Sequence, residues 1–147
     1  MKIYRFMTKK EFELWKNNDM SFGTRYEKRA NENSHDYNPN EKYLHFFKNL
    51  EDAQTVASVL DIKANLLCKF SVDENSFKKF EGQGTYYYNG DMNFGTVKVT
   101  EYAIPTKLLS KENMVAYKPV KNLEDVQTLS INSNWKEIEK ENNDLAM

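Results

Sequence analysis

Cysteine, histidine and arginine are scarce in this sequence of 147 residues. The single cysteine, Cys68, cannot form an internal disulfide, and the apolar run around it indicates a core position. Two histidines, His35 and His45, are too few for a zinc site of ordinary composition. We therefore expect neither a disulfide scaffold nor a metal centre.

Long apolar runs are also lacking. No stretch approaches the roughly 20 apolar residues of a membrane-spanning helix, and the first residues lack the apolar segment of a signal peptide. Lys and Arg total 21 against 22 Asp and Glu, so the formal net charge of -1 gives no overall basic surface for nucleic acid or an anionic membrane. We expect a soluble, cytoplasmic protein without a membrane partner.

What the sequence does contain is typical of a folded domain. Hydrophobic residues make up 39% and charged residues 29%, with three prolines and five glycines, which excludes a disordered or low-complexity chain. A chain of this length can bury roughly two-thirds of the surface that its unfolded form exposes. We expect one domain over residues 1–147, with a core over about 2–120 and a helical segment over 121–147.

Periodicity and capping signals predict an α+β fold, in which two or three helices flank a small antiparallel or mixed sheet. The predicted strands lie near residues 3, 45, 68, 87, 100 and 116. Thr8 and Glu11 have the spacing of a capping box, and Asn49 precedes an apolar stripe, so a helix should begin at each place. The polar stretch at 21–41 keeps no sustained period, as is common in functional loops.

Glu101 is the candidate catalytic residue. In the predicted strand at 96–104, alternation places Glu101 on one face with Val97, Val99 and Ala103. An ionised carboxylate on an apolar face needs a partner or a cleft, because burying it unpaired costs several kcal/mol. A bulge that turns the side chain away is the alternative, since the other face of the strand is also apolar.

Three further positions suggest a binding site. Arg5, on the first predicted strand, suits recognition of a phosphate or carboxylate. The alternative is a structural salt bridge, for which Glu101 is one candidate partner. His45 lies in an aromatic strand, where a hydrogen-bonded core histidine is the alternative to a ligand or base. Tyr86 begins a run of three tyrosines that would stack on a flat ring or simply belong to an aromatic strand. No P-loop, dinucleotide fingerprint, nucleophile elbow or HExxH motif occurs.

The order of these segments resembles that of the ADP-ribosyltransferase-like superfamily. The segments that carry the resemblance are an early strand, a middle aromatic strand leading into a helix, and a late strand: Ile3-Tyr4-Arg5-Phe6, Tyr43-Leu44-His45-Phe46-Phe47 and Thr100-Glu101-Tyr102-Ala103-Ile104-Pro105. The last segment is similar to the Glu-Tyr strand of the poly(ADP-ribose) polymerases. The resemblance spans residues 2–117.

The resemblance implies an NAD-dependent ADP-ribosyltransferase-like domain that acts on a protein or nucleic-acid target, with NAD as its substrate. Glu101 would accept a hydrogen bond from the ribose 2'-hydroxyl and stabilise an oxocarbenium-like transition state as nicotinamide leaves. Arg5 would hold the pyrophosphate or ribose, His45 or Tyr43 would orient a ribose, and Tyr86 would stack on nicotinamide. The Ser-Thr-Ser strand and the paired acid of the arginine-modifying branch are absent, which disfavours protein-arginine modification.

A binding protein without catalysis is the competing interpretation. A small chain rich in Lys and Asn, with a long polar loop, is also typical of phage or mobile-element proteins that inhibit a host defence complex, as anti-CRISPR proteins do. Such a protein acts by occupying a surface of a host protein complex. The polar stretch at 21–41, with Arg25 and Arg29, would then be the first surface to examine.

Overall fold

The computed structural model describes residues 1–25, 40–59, 64, 66–89, 94–120 and 135–138. These residues form an antiparallel sheet of eight strands: β1 (Lys2–Met7), β2 (Thr24–Arg25), β3 (Lys42–Phe47), β4 (Leu66–Ser71), β5 (Glu81–Asn89), β6 (Phe94–Pro105), β7 (Met114–Pro119) and β8 (Lys136–Glu137). The strand order is β5-β6-β3-β1-β4-β7-β8, and β2 pairs with β3. The helices are α1 (Lys9–Lys16), α2 (Leu50–Val59) and the single turn α3 (Glu74–Phe77). The predicted α+β fold is confirmed, and the sheet is of the antiparallel kind.

The first helix begins where the capping box predicts. The Glu11 main-chain N–H donates to Thr8 Oγ1 at 3.1 Å, and the Thr8 N–H donates to Glu11 Oε1 at 2.9 Å. The two residues thereby satisfy donors that a helix start would otherwise leave without partners. Phe12 and Trp15 of α1 are buried against the sheet. No helix in the described ranges is long and apolar enough to cross a membrane.

Two apolar clusters cover the two faces of the sheet. On the α1 side, Phe12 and Trp15 pack with Ile3 and Met7 of β1. On the α2 side, residues of β1, β3, β6 and α2 form the other cluster, which includes Tyr4, Phe6, Phe47, Leu50, Ala53, Val56 and Val99. Because consecutive residues of a strand point to opposite faces, the alternation in β1 places Ile3, Arg5 and Met7 on the α1 side.

The hairpin of β5 and β6 fixes the position of Glu101. Its register runs without a shift from Glu81 opposite Tyr102 to Asn89 opposite Phe94. The pairing of β3 with β6 is equally regular. Since neither ladder contains a bulge, the predicted alternation of β6 holds, and the alternative in which a bulge turns Glu101 is wrong.

The segment at 121–147 departs from the helical prediction where the structure describes it. Lys136 and Glu137 form β8, opposite Tyr117 and Ala116 of β7. The helical prediction is wrong at these two residues, because pairing with the edge of β7 outweighs the local helical signal. The remainder of that segment lies outside the described residues.

Most of the long polar stretch also lies outside the described residues. The stretch begins with β2, in which Thr24 lies opposite Tyr43 and Arg25 opposite Lys42. Residues 26–39, which include His35 and Arg29, are not described. The prediction that this stretch forms a partner surface therefore remains a prediction.

The reactivity of the Cys68 thiol tests whether β4 is buried in the core as described. The residue is fully buried on β4, and burial raises the pKa of its thiol. We expect the folded protein not to react with Ellman's reagent at mildly alkaline pH, because only the thiolate reacts. One thiol per chain should react after denaturation in guanidinium chloride. Labelling of the native protein at the rate of the denatured protein would contradict this placement.

Candidate functional site

Glu101 is a buried charged residue in the middle of an apolar surface. Its relative exposure is 0%. It lies on the α2 side of β6, between Val99 and Ala103 on the same face, and opposite Phe47 of β3 and Gly82 of β5. The predicted apolar face is therefore confirmed, and the question is which groups accompany the carboxylate.

The two carboxylate oxygens of Glu101 have different surroundings. The Tyr86 hydroxyl donates a short hydrogen bond to Oε2, and Nδ1 of His45 lies 3.5 Å from the same oxygen. Oε1 is buried and has no hydrogen-bond partner among the described residues. A buried acceptor without a partner costs about 1–3 kcal/mol. A ligand that donates a hydrogen bond to Oε1 would recover that free energy.

Gly84 provides the space in which the carboxylate lies. A Cβ atom at position 84 would be 2.5 Å from both Cδ and Oε1 of Glu101, closer than nonbonded atoms approach. Gly84 is buried and lies opposite Val99, one position along the face from Glu101. Sequence reasoning missed this residue. Its signal was the Gly82-Gln83-Gly84 segment in a strand, where glycine often marks a close approach of another group.

Three of the other predicted site residues share the α2 side with Glu101. Tyr43 and His45 lie on β3, opposite Pro105 and Ala103. Tyr43 is buried against Ala103, whereas the His45 side chain is 23% exposed. Together with Tyr86 of β5, these residues lie on three neighbouring strands, and Glu101 contacts both Tyr86 and His45.

Tyr86 does more at this site than form an aromatic strand. Its ring centroid lies 6.5 Å from that of Phe47, and its hydroxyl is committed to Glu101. The sequence left a stacking surface and an ordinary aromatic strand open at Tyr86, and it did not predict this hydrogen bond. The two residues are fifteen positions apart, so only the register of the hairpin brings them together.

Arg5 lies elsewhere. Its strand is separated from β6 only by β3, but Arg5 projects from the α1 side of the sheet and Glu101 from the α2 side. The two side chains do not open into one cleft, so the prediction that they share one binding site is wrong. Nη1 donates to the main-chain oxygen of His45 at 3.1 Å, and Nη2 pairs with Glu11 Oε2 at 3.4 Å. Burial lowers the pKa of the Arg5 guanidinium, and the Glu11 carboxylate opposes that shift. The alternative of a structural salt bridge is thus observed, with Glu11 rather than Glu101 as the partner.

The Arg5 guanidinium lies where one edge of β3 changes its pairing partner from β1 to β2. One edge of β3 pairs with β6 throughout, and the other edge pairs with β1 at Phe47 and with β2 at Tyr43. The His45 carbonyl lies between these two pairings and accepts its hydrogen bond from the Arg5 side chain. Arg5 therefore supports the strand that carries His45, and reaches the Glu101 site only through the main chain.

The described residues contain no group of three or more His, Cys, Asp or Glu side chains that could hold a metal ion. Comparisons of the chain with protein-family models, with curated proteins and with solved structures found no match. The chemistry of the site is therefore inferred from its own residues.

Proposed function

We propose that this chain is an NAD-dependent ADP-ribosyltransferase-like domain acting on a macromolecular target, with Glu101 as its catalytic carboxylate. The observation that carries the proposal is the unequal environment of the two Glu101 oxygens: Oε2 is held by Tyr86, and Oε1 is buried without a partner among the described residues. Buried polar groups in folded proteins nearly always find partners, so Oε1 is an acceptor that a donor from a ligand could satisfy.

The arrangement of three strands adds support. The resemblance predicted an early strand with a basic residue, a middle aromatic strand before a helix, and a late strand with a glutamate. These are β1, β3 and β6, which are neighbours in the order β6-β3-β1, and α2 follows β3 directly. Segments that are far apart in the sequence are thereby adjacent in the sheet. This adjacency supports the proposal for Glu101 and β3 only, because Arg5 projects from the opposite face of the sheet.

Glu101 would act on charge that develops as the glycosidic bond of NAD breaks. The bond between the ribosyl carbon and the nicotinamide nitrogen loses its electron pair to nicotinamide, which leaves as a neutral molecule. Positive charge then develops on the ribosyl carbon and ring oxygen. Oε1 would accept a hydrogen bond from a ribose hydroxyl, and the fixed negative charge of the carboxylate would stabilise the transition state. The acceptor group on the target would attack the ribosyl carbon and release its proton to solvent.

The described residues fit the ribosyl end of NAD better than its diphosphate. Glu101 offers an acceptor for a hydroxyl, and the partly exposed His45 and Tyr86 side chains form the border of the buried carboxylate. Arg5, which the resemblance assigned to the pyrophosphate, is engaged by Glu11 and by the His45 carbonyl. We therefore assign Arg5 a structural role in this proposal, and His45 the role of orienting the ribose beside Glu101.

Purified protein incubated with NAD tests the proposal. We expect nicotinamide release that grows with time and protein concentration, together with a rise in the melting temperature when NAD is added, because a ligand that binds only the folded state stabilises it. ADP-ribose serves as the comparison ligand, since it lacks the scissile bond. A protein that neither releases nicotinamide nor gains stability from NAD would refute the proposal.

A non-catalytic binding protein remains the second candidate, and two observations favour it. Glu101 is fully buried, so no part of its side chain is open to a substrate at the surface. Tyr87 is 73% exposed on β5, the outermost strand on its side of the sheet, and exposed tyrosines are frequent in protein interfaces. In this candidate the scaffold inhibits a host protein complex by occupying its surface. The NAD experiment separates the two candidates.

A further inference from the structure

We infer that Tyr86 and Gly84 of β5 are positioning residues that fix which oxygen of Glu101 faces the substrate. Tyr86 holds Oε2 by its hydrogen bond, and Gly84 leaves the volume in which the carboxylate lies. Oε1 is then the oxygen that remains for a ribose hydroxyl. The kinetic consequence of this inference depends on the proposed function, whereas the placement of the carboxylate does not.

The register of the hairpin explains why both residues are needed. Tyr86 lies opposite Val97, Gly84 opposite Val99 and Gly82 opposite Glu101. The Tyr86 hydroxyl therefore reaches along the sheet, and the Glu101 carboxylate leans toward it over position 84. A methyl group at that position would be 2.5 Å from the carboxylate carbon. A side chain at position 84 would displace the carboxylate from the place where it accepts this hydrogen bond.

The packing of the Tyr86 ring restricts the position of its hydroxyl group. The ring packs near Phe47, which lies directly opposite Glu101 on β3. The carboxylate is thus confined between β3 and β5, with one oxygen tied. Without the tyrosine hydroxyl the carboxylate can rotate, and the two oxygens become exchangeable. Misplacement of a reacting group by about 1 Å can cost about a hundredfold in rate.

Tyr86→Phe removes the hydroxyl and keeps the ring. If Glu101 is catalytic, we expect kcat for nicotinamide release to fall about tenfold while KM changes less than about twofold, because the variant disturbs the transition state rather than ground-state binding. Tyr87→Phe is the matched control, since its side chain is exposed on the neighbouring position of the same strand, and it should behave as wild type. A rise in KM with unchanged kcat would overturn the positioning role, because it would mean that Tyr86 binds substrate directly.

A second measurement needs no activity. Gly84→Ala should lower Tm in the wild-type background, and the loss should shrink in the Glu101→Ala background, where the side chain that would meet the new Cβ is absent. Equal losses in the two backgrounds would show that Gly84 does not accommodate Glu101 and would overturn the inference. Should Gly84→Ala fail to fold, Tyr86→Phe and Glu101→Ala form a cycle in which each variant removes one partner of the hydrogen bond. Additive Tm changes in that cycle would overturn the hydrogen bond, and non-additive changes would support it.

Failure of the proposed function and failure of the positioning role give different results. Wild-type protein without any effect of NAD refutes the proposed function and leaves the Tm couplings as the test of placement. Wild-type activity that survives Tyr86→Phe unchanged refutes the positioning role and leaves Glu101 as the catalytic carboxylate.

Discussion

Glu101→Gln should lower the rate of nicotinamide release by about 10²–10³-fold while NAD affinity changes little. Gln keeps the shape of the side chain but carries no charge, and the charge acts mainly on the transition state, where removing a preorganised group costs about 2.7–4 kcal/mol. In the ground state, bound NAD loses at most one of the two side-chain oxygens at position 101 as a hydrogen-bond acceptor. Initial rates of nicotinamide release and calorimetric titration with NAD measure the two quantities separately.

Glu112→Gln is the control for this experiment. Glu112 is exposed in the 3-10 turn at Lys111–Asn113, so its loss of charge should affect neither rate nor affinity. A Glu101→Gln variant that releases nicotinamide at the wild-type rate would remove Glu101 from the mechanism. A variant that loses affinity and rate in equal measure would show that Glu101 stabilises bound NAD and the transition state equally, and so does not act in catalysis.

Local signals predicted the elements of this fold because each depends on neighbours in the sequence. The capping box of Thr8 and Glu11 closes within one helical turn. The side of the sheet that Glu101 faces follows from the two-residue period of a strand, which holds in β6 because both of its ladders are regular. These features required no knowledge of what lies across the sheet.

The contacts of the site could not be predicted in the same way because they depend on register. The Asn89-Gly90 pair indicated a turn after the tyrosine run, but not its length. In the structure β5 and β6 are paired from Asn89 and Phe94 onward, across residues 90–93. A turn shorter by two residues would shift every pairing and separate Tyr86 from Glu101. The ion pair between Arg5 and Glu11 was also not predictable, because the capping box already accounted for the position of Glu11 in the sequence.

Arg5 carries the second large effect, and it concerns stability. Arg5→Ala should lower the free energy of unfolding by about 2–3 kcal/mol, because a hydrogen bond from a charged donor contributes about 1.5–3 kcal/mol and the His45 carbonyl would lose its donor. The ion pair with Glu11 is largely shielded from water, with side-chain exposures of 19% and 25%, and its loss adds to the effect. Chemical denaturation of the variant and of the wild type measures the difference.

Arg5→Lys is the matched variant, since it keeps a positive charge for Glu11 but lacks the planar fork that reaches Glu11 and the His45 carbonyl together. We expect its stability to lie between those of wild type and Arg5→Ala. At a temperature where all three proteins are folded, NAD affinity should be similar, because Arg5 touches the site only through the main chain of β3. If Arg5→Ala instead unfolds like the wild type and loses NAD binding, Arg5 is a ligand residue. The ion pair with Glu11 would then have to open when NAD binds, and Glu11→Gln should strengthen binding by removing the competing carboxylate.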